Sequence, residues 1–281
     1  MSLKSFSKIN LSLSVSKKIP YKKKYLHNIQ SYFCMINLYD KIKIKKINSQ
    51  EDKIKFHGKF AHQVNKKNNS VKNVLKILRR NKLISNYYSI SINKNIPAFA
   101  GLGGGTSNAF YIAKHFTKGK INKKLSAILN QKIGSDFKLF FHKEGFLENI
   151  KNVRKLKNKY KLNFLLVYPN LRCSTKYVYS KVKEFSKKLK HNPNMRKNKR
   201  TFINELANKN NDLQLIVEKK FPIIKKLIFE ISKKKGCYFS RMTGSGSLCY
   251  GIFNSDKTAK GALNKVKSKY PKYWISLAKT I

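Results

Sequence analysis

The chain has 281 residues, of which 41% are hydrophobic and 12% aromatic, and it carries 63 Lys and Arg against 12 Asp and Glu, a formal charge of +51. That apolar content supports two modest domains with their own cores and excludes a disordered chain. No apolar run reaches the about 18 residues of a membrane span, and the N-terminus lacks the apolar centre of a secretory signal. A cytoplasmic protein with no membrane partner is therefore expected.

The positive charge is spread through nearly every segment and accompanied by abundant Asn and Ile. Diffuse charge of this kind reads as a bias of composition, and no specific nucleic-acid partner is expected. A basic nucleic-acid-binding protein, which would show clustered charge, stays as the alternative of a different class. Cys34, Cys173, Cys237 and Cys249 have no Cys-x-x-Cys spacing and read as buried, reduced thiols.

Residues 4–16 alternate, with Ile9, Leu11, Leu13 and Val15 on one side and Lys8, Asn10, Ser12 and Ser14 on the other, which predicts a half-buried strand. A basic turn from Lys17 to Lys24 leads into Tyr25-Leu26-His27-Asn28-Ile29-Gln30-Ser31-Tyr32-Phe33. Lys41 to Ile47 and Lys53 to Phe56 read as strands of a hairpin or meander. Val71, Val74, Leu75 and Leu78 recur at helical spacing and predict an amphipathic helix over 71–83.

A strand over Tyr87 to Asn93 is followed by Ile96-Pro97-Ala98-Phe99-Ala100-Gly101-Leu102-Gly103-Gly104-Gly105-Thr106-Ser107-Asn108-Ala109. Behind it, Ala109, Phe110, Ile112, Ala113 and Phe116 recur at helical spacing. The order strand, glycine-rich loop, helix suits phosphate, because glycine lets the main chain approach a ligand and a helix start offers unpaired N–H groups. A P-loop is excluded, since no Lys follows Gly105. A dinucleotide fingerprint is excluded too, since Thr106 replaces its third glycine and no acid occurs between Asp52 and Asp136.

Further on, Lys123 to Ile133 reads as a helix ended by Gly134, and Ser135-Asp136-Phe137-Lys138-Leu139-Phe140-Phe141 as a loop entering an apolar strand. Phe164 to Pro169 predicts a buried strand, with a domain boundary just before it. Ser174-Thr175 and Val178-Tyr179 follow. His191 to Thr201 is polar and Pro-interrupted, and reads as a mobile surface loop and the best local candidate for RNA contact. Phe202 to Lys234 reads as two helices, with Asn211-Asp212-Leu213 as a structural cap. Ser240-Arg241-Met242-Thr243-Gly244-Ser245-Gly246-Ser247 precedes Leu248 to Phe253, and a last amphipathic helix over 257–270 leads to a short strand through Trp274 and Ile275.

Pro97 to Ala109 resembles the phosphate loop of the GHMP kinase superfamily, with Phe99 where many members have glycine. Within it, Phe6-Ser7-Lys8-Ile9-Asn10-Leu11-x-Leu13, the register of His27, Ile29, Ser31 and Phe33, the Asp136 segment, and Arg241-Met242-Thr243-Gly244-Ser245-Gly246 are similar to the diphosphocytidyl-methylerythritol kinases. Lys24, Tyr25 and Leu26 stand where those kinases have Asp-Gly-Tyr, and Lys138 where they have Pro. The matched segments run from about residue 6 to residue 253. The resemblance implies an α+β, two-domain GHMP kinase fold: a ribosomal protein S5 domain 2-like N-terminal domain over 1–155, a ferredoxin-like C-terminal domain over 156–281, and a site in the cleft between them.

It also implies transfer of the ATP γ-phosphoryl group to the 2-hydroxyl of a cytidyl diphosphate substrate. In that reading Lys8 and Asp136 are catalytic, and Pro97 through Ser107 bind ATP. Asn10, His27, Tyr179, Thr243, Gly244 and Ser245 bind the substrate. Mg²⁺ comes with ATP, ordered by Thr106 or Ser107. Another small-molecule kinase of the superfamily remains open, and so does the choice between monomer and homodimer.

Overall fold

The computed structural model describes residues 2–21, 24–156, 160–187, 189 and 197–281, with the side chains of residues 21, 24 and 25 outside that description. Two compact units are formed, one from Met1–Lys8, Leu38–Ala98 and Gly103–Phe141, the other from Ile9–Asn37, Phe99–Leu102 and His142–Ile281. Among the described residues no helix is long and apolar enough to cross a membrane. Residues 191–196 of the polar stretch read as a mobile loop and RNA contact, and the side chain of Tyr25, lie outside the described residues.

The first half of the chain holds strands β1 (Ser2–Asn10), β2 (Ser14–Tyr21), β3 (Lys24–Ile47) and β4 (Lys53–His57), helix α1 (Ser70–Arg80), strand β5 (Tyr87–Asn93), and helices α2 (Gly104–Phe116) and α3 (Lys123–Lys132). In the first unit β5 is central. It pairs antiparallel with the end of β3, setting Ile42 opposite Ile92 and Ile44 opposite Ile90, and parallel with β4. Lys41, Lys43 and Lys45 are exposed while Ile42 and Ile44 between them are buried, the period-2 pattern of a strand with one wet face. The expected hairpin of Lys41–Ile47 with Lys53–Phe56 is not formed. Helix α1 separates β4 from β5, and a helical crossover returns the chain parallel rather than antiparallel. Val71, Val74, Leu75 and Leu78 of α1 are buried as their spacing predicts, and Asn69 caps the helix by accepting the Lys72 N–H.

The chain from 4 to 16 is two strands, not one. At the turn, Leu11 and Ser12 both direct their N–H groups to the Tyr32 carbonyl, at 2.7 and 3.4 Å, and Leu13 donates to Asn210. These bonds leave the strand ladder, so β1 stops. The polar side is buried as well: Lys8, Asn10 and Ser12 are 2%, 4% and 0% exposed, so the half-buried expectation fails.

Ser135–Phe141 is a 3₁₀ helix rather than a loop entering a strand. Its Phe137 N–H donates to the Gly134 carbonyl and its Lys138 N–H to Asn130 Oδ1, so these two donors are taken by local turns rather than by a sheet. Phe137, Leu139 and Phe140 are all buried, the first and last against Phe110.

The second half adds β6 (Glu144–Leu147), β7 (Val153–Lys155), β8 (Asn163–Tyr168), α4 (Thr175–Ser180), α5 (Lys199–Ala207), α6 (Gln214–Lys220), α7 (Ile223–Ser232), β9 (Cys237–Met242), β10 (Cys249–Phe253), α8 (Asp256–Lys269) and β11 (Trp274–Lys279). In the second unit β6 pairs with β3 and β7, and β2 pairs with β3. A separate antiparallel sheet runs β11-β8-β10-β9. Phe164 to Tyr168 of β8 are all buried at its centre. Residues 202–234 form three helices, not two. Pro222 separates α6 from α7, and the turn before α6 spends Asp212 on the Val15 N–H and the Ser186 hydroxyl, at 2.7 and 2.6 Å.

One buried carboxylate fixes the approach to the glycine-rich loop. Asp40 is fully buried; its Oδ1 accepts the N–H groups of Asn95 and Ile96, at 2.8 and 2.9 Å, and its Oδ2 pairs with the Lys94 ammonium. Removing one partner strands the other charge in a dry site. Asp40→Ala is expected to lose about 3–5 kcal/mol in urea unfolding, whereas replacement of the exposed Lys41 by Ala is expected to change stability by less than about 0.5 kcal/mol.

Candidate active site

In the first unit, α2 begins at Gly104 after Gly103, whose φ is +69°. A side chain at Gly103 would be strained and crowded: a Cβ would sit 3.1 Å from the Phe140 ring and 3.3 Å from Lys8 Cε. The Lys8 side chain therefore lies directly against the start of α2. Its Nζ is 3.3 Å from Asp136 Oδ2, with Lys8 buried and the Asp136 side chain 32% exposed. The structure thus brings together the two residues expected to be catalytic. Thr106 and Ser107 fall in the first turn of α2, as the sequence predicts. The Ser107 hydroxyl is turned inward, donating to the Phe6 carbonyl at 2.5 Å and bonded to Ser5 Oγ at 2.7 Å. Thr106 Oγ1 lies 3.5 Å from where a Cβ on Gly134 would be.

Lys138, two residues beyond Asp136, has its ammonium pushed down to about 8 by burial, with Asp136 opposing the shift. Gln63, to which sequence reading gave no role, accepts the Ala98 N–H at 2.8 Å and so fixes the residue after Pro97.

In the second unit, residues 99–102 pack on the turn between β9 and β10. A Cβ on Gly101 would lie 2.1 Å from the Thr243 carbonyl oxygen. Asn10 donates its N–H to Thr243 Oγ1 at 2.9 Å and its side-chain amide to Ser31 at 2.8 Å. A Cβ on Gly244 would lie 3.3 Å from Asn10 Oδ1, so Asn10, Thr243 and Gly244 form one group. Ser245 Oγ is 2.9 Å from Thr175 Oγ1. The turn is held from behind by Asn211, whose amide donates to the carbonyls of Met242 and Gly244, at 2.9 and 2.8 Å. Arg241, 6% exposed, donates to the carbonyls of Leu11, Leu206 and Ala207.

A second group in this unit joins His27 and Tyr179, with ring centroids 5.5 Å apart. Phe185 adds a third ring 5.9 Å from His27. Sequence reading missed Phe185, because nothing in a run of Lys and Glu marks a ring that meets a distant strand. His27 Nδ1 is buried without a hydrogen-bond partner among the described residues. Burial, then the charge of Lys18, hold the His27 ring below its ordinary value, against a hydrogen bond with the Tyr179 main chain. A neutral imidazole with an unspent nitrogen beside two rings can take a flat ligand that hydrogen-bonds at its edge.

Residues 192–272 match the family model described as GHMP kinases C terminal. Over 99% of its length the chain is 38% identical to the 4-diphosphocytidyl-2-C-methyl-D-erythritol kinase of Pelagibacter ubique (strain HTCC1062), covering 98% of that protein. The kinase of the same name from Wolbachia pipientis wMel is 31% identical over 97% of the chain and 96% of its own length. The chain belongs to the 4-diphosphocytidyl-2-C-methyl-D-erythritol kinase family. A crystal structure of 4-(cytidine 5'-diphospho)-2C-methyl-D-erythritol kinase superposes with a TM-score of 0.75 over 99% of both chains at 20% identity. The α+β GHMP kinase fold expected from the sequence is therefore present. The family is one of ATP-dependent kinases acting on small molecules.

His115 and His142 are, like His27, lowered mainly by burial. A histidine held below its ordinary value binds its proton more readily in the unfolded chain, so the stability it contributes is full above that value and is lost as pH falls. The urea midpoint is expected to fall gently from pH 8 to about 7, as Lys138 takes up its proton in the folded chain, and to fall further below about 6.5 as the histidines do. The fall should be shallower in His27→Gln, measured at matched ionic strength.

Proposed function

We propose that this chain transfers the γ-phosphoryl group of ATP to the 2-hydroxyl of 4-diphosphocytidyl-2-C-methyl-D-erythritol, a step of the non-mevalonate route to isoprenoid precursors. The observation that carries this reading is the Lys8–Asp136 pair, set against Gly103, the residue that caps α2. Phosphoryl transfer passes through a loose transition state, so positioning and charge stabilisation do most of the catalysis.

In this reading the main chain of Pro97 to Ser107 holds the phosphates of ATP. The first-turn N–H groups of Gly105 and Thr106, at the positive end of α2, would bind them. Asp136 accepts the proton of the attacking hydroxyl. Lys8, whose ammonium is 3.3 Å from that carboxylate, orients it and offsets charge on the transferring group. Asn10, Thr243, Gly244 and Ser245 bind the acceptor substrate, and His27 and Tyr179 hold its cytosine ring.

Mg²⁺ bound with ATP would supply charge neutralisation between the phosphates. Thr106 and Asp136 offer the hard oxygen donors it takes, whereas the Ser107 hydroxyl is already engaged with Phe6 and Ser5. Leu26 in place of the family's Tyr favours testing a second reading, a superfamily kinase with a different small acceptor.

ADP release is measured with MgATP and the cytidyl substrate, beside homoserine and mevalonate. Turnover is expected with the cytidyl substrate alone. Asp136→Ala is expected to lose turnover by about 10²–10⁴ while retaining ADP affinity. Unchanged turnover in that variant removes Asp136 from the chemistry, and turnover with homoserine or mevalonate instead replaces the acceptor.

A further inference from the structure

Phe99 is a strained and exposed residue in a place where neither property helps folding. Its φ is +57°, in the left-handed region that bulky side chains avoid, and its side chain is 52% exposed. Strain retained at a non-glycine position points to a task for the side chain. The ring has a partner in the same unit: the Arg172 guanidinium lies over it, 5.8 Å from the centroid.

The base of Arg172 is fixed from both sides. The carbonyl of Leu171 accepts the Ser247 hydroxyl at 2.5 Å, and Cys173 is 3% exposed. Arg172 itself is exposed and has no carboxylate partner among the described residues. Arg172 is held by a ring of the glycine-rich loop, beside the Thr243–Gly246 turn on which residues 99–102 pack.

We propose that Phe99 and Arg172 form a clamp for a nucleotide diphosphate. The guanidinium, with its forked donors, binds phosphate oxygens at the rim of the loop, and the Phe99 ring is the positioning residue that holds it there. The main chain of the loop supplies neutral N–H groups; Arg172 supplies a full charge. The proposal rests on the reading of residues 97–107 as a phosphate loop. The diphosphate belongs either to ATP or to the cytidyl substrate, two sources with the same chemistry.

Binding of MgADP and of cytidine 5'-diphosphate is measured by calorimetry for the whole protein and for Arg172→Gln, Phe99→Gly and the double variant, with KM and kcat for both substrates alongside. Arg172→Gln is expected to weaken one diphosphate by about fivefold to twentyfold, with KM rising more than kcat falls. Phe99→Gly is expected to give a smaller loss of the same ligand without a lower melting temperature, since glycine accepts the positive φ. The double variant should be no weaker than Arg172→Gln, because the ring acts through the guanidinium. Arg172→Lys should recover part of the loss.

Weakening of MgADP alone assigns the clamp to ATP, and weakening of cytidine diphosphate alone assigns it to the acceptor. Unchanged affinity for both in Arg172→Gln, or losses that add in the double variant, overturn the proposal while leaving the phosphate loop intact. If the unmodified protein binds neither diphosphate, the phosphate-loop reading itself falls and takes the clamp with it.

Discussion

A methyl group on Gly101 would lie 2.1 Å from the Thr243 carbonyl oxygen, and one on Gly244 would lie 3.0 Å from the Gly101 carbonyl oxygen. In the second unit the loop and the β9–β10 turn are therefore backbone against backbone, an approach that excludes every side chain. In the first unit a methyl on Gly104 would meet Ile96 at 2.8 Å, and one on Gly103 would meet Phe140 and Lys8. The four glycines between 101 and 105 thus do more than bend the chain. They let neighbouring groups press closely on the loop. Much of the surrounding polar structure serves this packing. Asn211 anchors the carbonyls on either side of Thr243, Gln63 fixes Ala98, and Asp40 fixes Asn95 and Ile96.

With 63 basic residues and 12 acids, carboxylates are the scarce groups in this molecule. Several carry more than one task. Asp40 takes an ammonium and two main-chain N–H groups, and Asp52 takes both ends of the Arg79 guanidinium and the Tyr88 N–H. Asp212 joins β2 to the Ser186 hydroxyl, and Glu230 pairs with Lys234 and Lys269. A carboxylate so engaged is a structural fixture, since each accepted bond helps hold it in one position. Asp136 differs. It faces the Lys8 ammonium across 3.3 Å and keeps about a third of its side chain open to solvent. A partly open carboxylate beside a buried ammonium is the arrangement on which the proposed proton transfer rests.

What could be read from the sequence was whatever is local. The strand Tyr87–Asn93, the glycine-started helix behind it, α1 and α8 each carry their own period, and all four form near their expected bounds. The Lys8–Asp136 pairing was also legible, through motif order rather than periodicity. Three features were not. The apolar cluster Phe137, Leu139, Phe140 and Phe141 reads equally as a strand or as a tight helical turn, and the choice is made by Asn130 taking the Lys138 N–H. The burial of Lys8, Asn10 and Ser12 on the polar side of an alternating stretch depends on neighbours far away in sequence. The ring of Phe185 beside His27 belongs to the same class of long-range fact.

Where the chain departs from its family's pattern, other local interactions meet the physical need. A proline at position 138 would set φ but could not donate an N–H. Lys138 leaves φ unset yet supplies that N–H to Asn130, and the buried rings on either side of it secure the turn. Lysine also places a second amine near Asp136, one whose burial brings its proton loss down to about 8. Phe99 works the other way. There the usual glycine costs nothing in backbone strain, and the aromatic replacement costs about 1–3 kcal/mol for a side chain that stands half in solvent. Composition gives no reason for a phenylalanine at 99; in the clamp we propose, the reason is the anion bound by the Arg172 guanidinium, which the strained ring holds and which has no carboxylate partner among the described residues.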